Sequence, residues 1–422
     1  MRRILTFVIF LGLLTGCANI SSLLPMPETA TAPPNTPTAV TSTPAFNTPT
    51  NTPSGPRILH IWVPPQFDPS SETAASALLQ ARLDEFAARR PDLNLDVRVK
   101  ADDGTSNMLN ALSTARSAAP SAMPDLVALS RADLESATAK GLLHPFDGLS
   151  TLPEESDWFP YAREMAHIQN STFGLPFAGD ALALVGFRYP LPDDWSEMPD
   201  GTIFIFPADD PRALFTLSLY LSAGGTLEDS QGRLALNEAI LAEVLSFYSP
   251  DPASDFISPQ VVNYENADQA WNAFLEQRAN LVVSWTSRFL NEDALPLALA
   301  PLPGLGSGFY TLATGWSWAL AGSNPDNQVL AVELAEFLSD SEFLAEWTQI
   351  AGYLPTRPTA LSSWEDARMQ LILTQSAESA SLIPGEDLLV TIGPLFAEAA
   401  LSVLTNEQLP EEAARSVIEQ LE

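Results

Sequence analysis

The sequence predicts an α/β fold in two lobes, on three observations. Apolar runs of strand length alternate with runs of helical spacing from residue 57 onward. A chain of 422 residues, 46% of them hydrophobic, can bury one large core or two medium ones, and two lobes suit that length. Between the two series of elements lies one long apolar stretch, residues 173–188 (F-G-L-P-F-A-G-D-A-L-A-L-V-G-F-R). It reads as a turn, a proline-marked crossing and a strand, with Asp180 alone among apolar neighbours.

The elements follow in order. Residues 58–63 (I-L-H-I-W-V) form an apolar run stopped by Pro64 and Pro65, consistent with a buried strand. Ala75, Leu78, Leu79, Leu83, Phe86 and Ala87 recur at helical spacing, and the helix ends before Pro91. Leu93, Leu95, Val97 and Val99 then alternate with Asn94, Asp96, Arg98 and Lys100, the period of a strand with one face buried and one in water. Strand, helix, strand is a βαβ unit, right-handed with parallel strands. The pattern repeats in type, with a helix over 107–118, a strand over 124–129 and a helix over 131–141 that ends in glycine. Beyond the long stretch, strands are expected at 203–206, 280–284, 297–302 and 311–321. Helices are expected at 211–223, 237–247, 267–275, 328–338 and 341–350, and the end of the chain is helical. Gly304, Gly306 and Gly308 follow Pro303 and do not open a helix, so they mark a loop and not a phosphate cradle.

Charge and cysteine narrow the class. With 20 Lys+Arg against 52 Asp+Glu, the net charge is −32, which argues against a nucleic-acid or anionic-membrane surface and suits a soluble extracytoplasmic monomer. The single cysteine, Cys17, excludes an internal disulfide and a Cys-based zinc site. Arg2 and Arg3 precede an apolar run over 4–14, about half of what a spanning helix needs, so this is an export signal and not a membrane anchor. The quartet L-T-G-C that ends it resembles the bacterial lipobox, which implies lipidation of Cys17 and attachment to the outer face of the cell membrane. Residues 18–56 carry repeated Thr-Pro units and read as a semi-stiff solvated tether.

Five blocks stand in a telling order: I-L-H-I-W-V; P-D-L-V-A-L with A-K-G-L-L-H-P-F-D; the stretch with Asp180; N-A-F-L-E-Q-R-A-N-L-V-V-S-W-T-S-R; and the two helices from Asn324 to Trp347, ending in A-G-Y-L-P-T-R. This order resembles bacterial extracellular solute-binding protein family 1, the sugar-type receptors of ABC importers, from Arg57 to the end. The resemblance implies a type II periplasmic-binding-protein-like fold, with two lobes joined by about three hinge crossings near 175–181, 314–318 and 354–359. Lobe 1 would hold 57–178 plus about 317–357, and lobe 2 the segments 179–316 plus about 358–422. It also implies a carbohydrate ligand (mono- or oligosaccharide), ABC importer permease subunits as partners, closure of a hinge on the ligand, and no cofactor. The segment after Arg188 is shorter than in most members, so family contacts from it are not carried over.

A sugar offers hydroxyls and an apolar face, which planar polar side chains and aromatic rings hold. Trp62 follows the first strand, Trp285 ends the N-L-V-V-S strand, Trp316 and Trp318 flank a crossing, and Tyr353 opens the last one. Each is a candidate platform, with a core position as the other reading. Asp180 is a candidate ligand contact or, alternatively, a structural group bonding hinge N–H groups. Gln66, Asp102, Asp103 and Arg357 fall on expected cleft-facing loops, and Arg188 is placed to pair with a carboxylate of either lobe. His60, His144 and His167 form no metal-ligand spacing and no Gly-x-Ser-x-Gly elbow is present, so a non-enzymatic receptor without a metal site is expected. The abundance of carboxylate pairs leaves a surface glycosidase as the alternative, beside a receptor for a peptide or polyamine.

Overall fold

The computed structural model describes residues 56–102, 104–187, 190–249, 256–292, 294–306, 308–322 and 324–421. The export signal, Cys17, the tether up to residue 55, Asp103 and Arg188 lie outside the described residues. β1 (Arg57–Val63) buries Leu59, Ile61, Trp62 and Val63. α1 (Ala74–Ala88) starts where the Thr73 side chain accepts from the Ser76 N–H, and it buries Leu79, Leu83 and Phe86. β2 (Leu93–Val99) pairs parallel with β1 along its whole length. The expected half-buried face of β2 is realised only in part: Leu93 is buried, but Val99 is 42% exposed. The reason is position, since β2 is the edge strand of the sheet. α2 (Met108–Ala118), capped by Asn107, leads to β3 (Leu126–Ser130), which pairs parallel with the other side of β1; α3 (Arg131–Ala139) is capped by Ser130.

Two small elements were not foreseen, α4 (Pro160–Ala166) and the hairpin of β4 (His167–Ile168) with β5 (Ser171–Thr172). β6 (Leu175–Gly186) follows, the longest strand, buried at every position but Asp180. Beyond it come β7 (Phe204–Ile205), α5 (Leu214–Ser222), α6 (Glu238–Ser246), α7 (Ala267–Leu275), β8 (Leu281–Trp285), α8 (Thr286–Leu290) and β9 (Ala298–Pro301). α5 begins later than its sequence suggests because a turn from Asp210 places Ala213 at φ 47° before the helix can start. β10 (Thr311–Leu320) returns to the first lobe and is followed by α9 (Pro325–Leu338) and α10 (Ser341–Ala351). α11 (Pro358–Ser362), α12 (Ala367–Glu378), β11 (Ala380–Leu382), α13 (Glu386–Leu404) and α14 (Pro410–Leu421) complete the chain. By length and hydropathy α13 would pass for a membrane span, but Leu389, Ile392, Phe396, Ala400 and Val403 are buried in the second lobe, so it is a core helix.

The sheet runs β2-β1-β3-β10-β6-β8-β7, with β9 beside β6 and β11 beside β10. One apolar core lies on each face of its β1–β3 half, and a larger one fills the β6–β9 half. Trp158, Phe159, Tyr161 and Ala162 precede the first crossing yet pack in that larger core.

The halves meet at Gly179. This residue exchanges both backbone hydrogen bonds with Leu354, at 2.8 and 2.9 Å, while on its other side it faces Gly315 of β10. A Cβ on Gly179 would come within 2.1 Å of the Tyr161 hydroxyl and 2.9 Å of the Leu354 carbonyl oxygen. Tyr161 cannot swing aside cheaply, because it is fully buried and its hydroxyl donates to Pro355 O at 3.1 Å. Gly179→Ala is therefore expected to cost about 2 kcal/mol by overpacking, read as a lower denaturant midpoint with an unchanged slope.

Candidate functional site

The site is built from the ends of strands where the chain passes between lobes. β6 pairs with β10 up to Ala181, just past Asp180, and from Leu182 on it pairs with β8, whose last residue Trp285 lies opposite Leu182. β8 then turns directly into α8, and no side chain of Trp285 caps that helix. Asp180 does so from the neighbouring strand: its Oδ1 accepts from Ser287 N at 3.0 Å, Thr286 Oγ1 at 2.8 Å and Ala181 N at 3.0 Å. Its Oδ2 accepts from Ser287 Oγ at 2.5 Å. Burial nevertheless pushes the carboxyl above its ordinary value, against the pull of those four hydrogen bonds. The structural reading of Asp180 is thus realised in the hinge, and Oδ2 retains a lone pair beyond the Ser287 bond.

Two aromatic rings stand beside it. Trp316 on β10 and Tyr353 on the third crossing are half-buried, and both lean on the buried Phe67, with ring centroids 5.2 and 5.6 Å away. Tyr353 is also stacked on Trp347, at 6.1 Å and 8°. Burial first, then the negative charge of Asp180 and Asp102, pushes the Tyr353 hydroxyl well above its ordinary value. Trp285 is half-buried at the margin of the second core. Among the described residues the Nε1 of Trp285, the Nε1 of Trp316 and the hydroxyl of Tyr353 have no hydrogen-bond partner, and none of the three is a buried atom. Gln66 is exposed in the short turn that delivers Phe67, and Asp102 is exposed after β2.

Three other candidates lie elsewhere, each for a clear reason. Trp62 is 4% exposed and packs with Met108 and Leu112 under α2, while Lys100 Nζ lies 4.3 Å from its ring. Trp318 shares a face of β10 with Trp316 but lies one step deeper into the first lobe, where it is 2% exposed and stacks on Phe177 at 4.6 Å. Arg357 is 5% exposed and fully engaged: Nε meets Asp157 at 3.0 Å, Nη2 meets Glu155 at 2.5 Å and Nη1 donates to Ser339 O at 3.1 Å. Its guanidinium also lies 4.7 Å from the Trp158 ring. These three are corrected from expected contacts to core and hinge residues. Sequence reasoning missed Thr286, Ser287 and Phe67; the only signal for the first two was a hydroxyl pair directly after a strand. Among the described residues no group of three His, Cys, Asp or Glu side chains is arranged to hold a metal ion.

Two expectations follow. Asp180→Ala strands the Ser287 and Ala181 N–H groups and the Thr286 hydroxyl, and should cost about 2 kcal/mol in a denaturation series. An unchanged midpoint with weakened ligand binding would assign the carboxylate to the ligand instead. At the third crossing, burial acts against the charge of Asp157, but hydrogen bonds from Thr359, Ser341 and Arg357 outweigh it and hold the carboxyl below its ordinary value. The stability this supplies is complete above the ordinary carboxylate value, near about 3.9, and is lost as pH falls through the lower folded value. Arg357→Met should cost about 3 kcal/mol at neutral pH and flatten the acid limb, as urea midpoints from about pH 3 to 6 would record.

The molecule can be placed among known proteins by this geometry. A family model described as bacterial extracellular solute-binding protein matches residues 81–370. No curated protein matches the chain. Among solved structures, the maltose-bound MalE3 protein of T. maritima is 18% identical, with a TM-score of 0.63 over 86% of this chain and 98% of that one. The maltose-binding periplasmic protein MalE of Listeria monocytogenes, in complex with maltose, is 13% identical, with a TM-score of 0.69 over 87% of this chain and 97% of that one. An ABC transporter solute-binding protein of Thermotoga lettingae, bound with α-D-tagatose, is 19% identical, with a TM-score of 0.64 over 86% and 98%. The likeness establishes the two-lobe fold.

Proposed function

The chain belongs to the bacterial extracellular solute-binding proteins, and on that premise we propose that it captures a carbohydrate between its lobes and delivers it to the permease subunits of an ABC importer. One observation carries the carbohydrate reading: Trp285, Trp316 and Tyr353 stand half-buried at the crossings with their polar tips open. Such rings offer a flat apolar surface to the C–H face of a sugar and a donor at its rim. Asp180 Oδ2 and Gln66 supply further polar contacts. That relatives of the same fold are described with maltose or tagatose bound supports the class. Lipidation at Cys17 would hold this monomeric receptor on the membrane beside its permease. Ligand touching both lobes favours the closed state, so occupancy is reported as a population shift.

A second reading rests on one observation: the charges of Asp102 and Asp180 both act on the Tyr353 hydroxyl, so the region is acidic, as a polyamine would require. Thermal shift separates the two. A cognate sugar, tested among monosaccharides and maltodextrins, should stabilise by about 2.7 kcal/mol at a hundredfold excess over Kd. Trp316→Ala should then weaken sugar binding about tenfold, measured below a ligand-free midpoint that the loss of its packing on Phe67 lowers. A midpoint raised by spermidine or a peptide, and by no sugar, would sink the carbohydrate reading.

A further inference from the structure

We propose that Asn291 is a positioning residue that ties the second lobe to the first and sets the resting width of the cleft. α8 begins at the Asp180 carboxylate, and its Phe289 and Leu290 pack against the second core. The next residue, Asn291, is exposed, and its Nδ2 donates to Ser287 O at 2.8 Å, to Gly352 O at 3.3 Å and to Ala351 O at 3.5 Å. Ala351 and Gly352 end α10, which is anchored in the first core by Phe343, Leu344 and Trp347. Gly352 has φ 70°, and a Cβ there would lie 2.1 Å from Asn291 Nδ2. The amide therefore occupies the space that glycine leaves open. Thus a five-residue helix is held at one end by the first crossing and at the other by the residue pair that opens the third.

Three contacts on the third crossing differ in kind. Gly179 with Leu354, Tyr161 with Pro355 and Pro176 with Thr356 are buried hydrogen bonds within the hinge itself, and farther along Arg357 and Thr359 meet Asp157. A rotation that opens the lobes lengthens a contact on the cleft side of the crossing strands in proportion to its distance from the axis. Bonds on the axis survive an opening, and the exposed amide at the margin is the tie that parts. The inference depends on the two-lobe geometry and not on the ligand, so its test uses none.

Spin labels at Val329 on α9 and Val390 on α13, which are 56% and 66% exposed, report the interlobe distance by pulsed dipolar spectroscopy in the full chain carrying Cys17→Ser. Asn291→Ala, and Asn291→Asp, which keeps the volume and removes the donor, should raise the open-to-closed ratio about fivefold. Gly352→Ala should also lengthen the distance, by driving the amide away, and should add little in the Asn291→Ala background. Unchanged distances in both Asn291 variants, or additive shifts in the double variant, would overturn the proposal.

Discussion

Three strands meeting at one glycine is the constraint from which the rest of this architecture follows. β6 can lie between β10 and the third crossing only because neither Gly179 nor Gly315 carries a Cβ. A Cβ on Gly315 would lie 2.3 Å from the Ala178 carbonyl oxygen, just as one on Gly179 would strike Tyr161. Close approach of backbones lets a single sheet run through both lobes, so the lobes share hydrogen-bonded strands and not merely a linker. Relative motion of the lobes must then be absorbed within a few residues of these strands, where β6 passes from pairing with β10 to pairing with β8 and β9.

Charge is used sparingly around that point and always with partners. Asp180 takes up four hydrogen bonds at the start of α8, and Arg357 is enclosed by Asp157, Glu155, Ser339 O and the Trp158 ring. A charge taken out of water alone would cost several kcal/mol, so the half-buried carboxylate and the buried guanidinium are both surrounded by partners. Elsewhere the same economy holds. Only two of the 20 basic residues are lysines, and arginine serves where a planar cation must cover an aromatic ring, as Arg82 does 3.4 Å from Phe337 between α1 and α9.

The candidate site is a by-product of the crossings. Strand ends that carry the chain between lobes also bring Trp316 and Tyr353 together on the buried Phe67, while Trp285 ends β8 opposite Leu182 of β6. Trp316 and Tyr353 are half-buried, each with Phe67 against its ring. Trp318, two residues from Trp316, shows how sharp that margin is: the same strand face, one step inward, is solid core.

Local patterning in the sequence was enough to determine the α/β alternation, the first βαβ unit, the long crossing strand and the long helices up to α10, with the end of the chain legible only as helical. Apolar periodicity is a property of neighbours along the chain, and burial on one face is all it has to encode. Short elements such as α4 and α8 escaped, because one or two turns carry too little of a period. The roles of individual polar and aromatic residues escaped for a different reason. Asp180 was legible as an odd carboxylate in an apolar strand, but its partners Thr286 and Ser287 lie more than a hundred residues away, and only the pairing of β6 with β8 brings them within reach. Likewise a tryptophan on a strand has the same local signature whether its open face meets solvent or a neighbouring ring. Depth within a lobe is set by which strand lies alongside and which helix lies above, and that was decided by the tertiary structure alone.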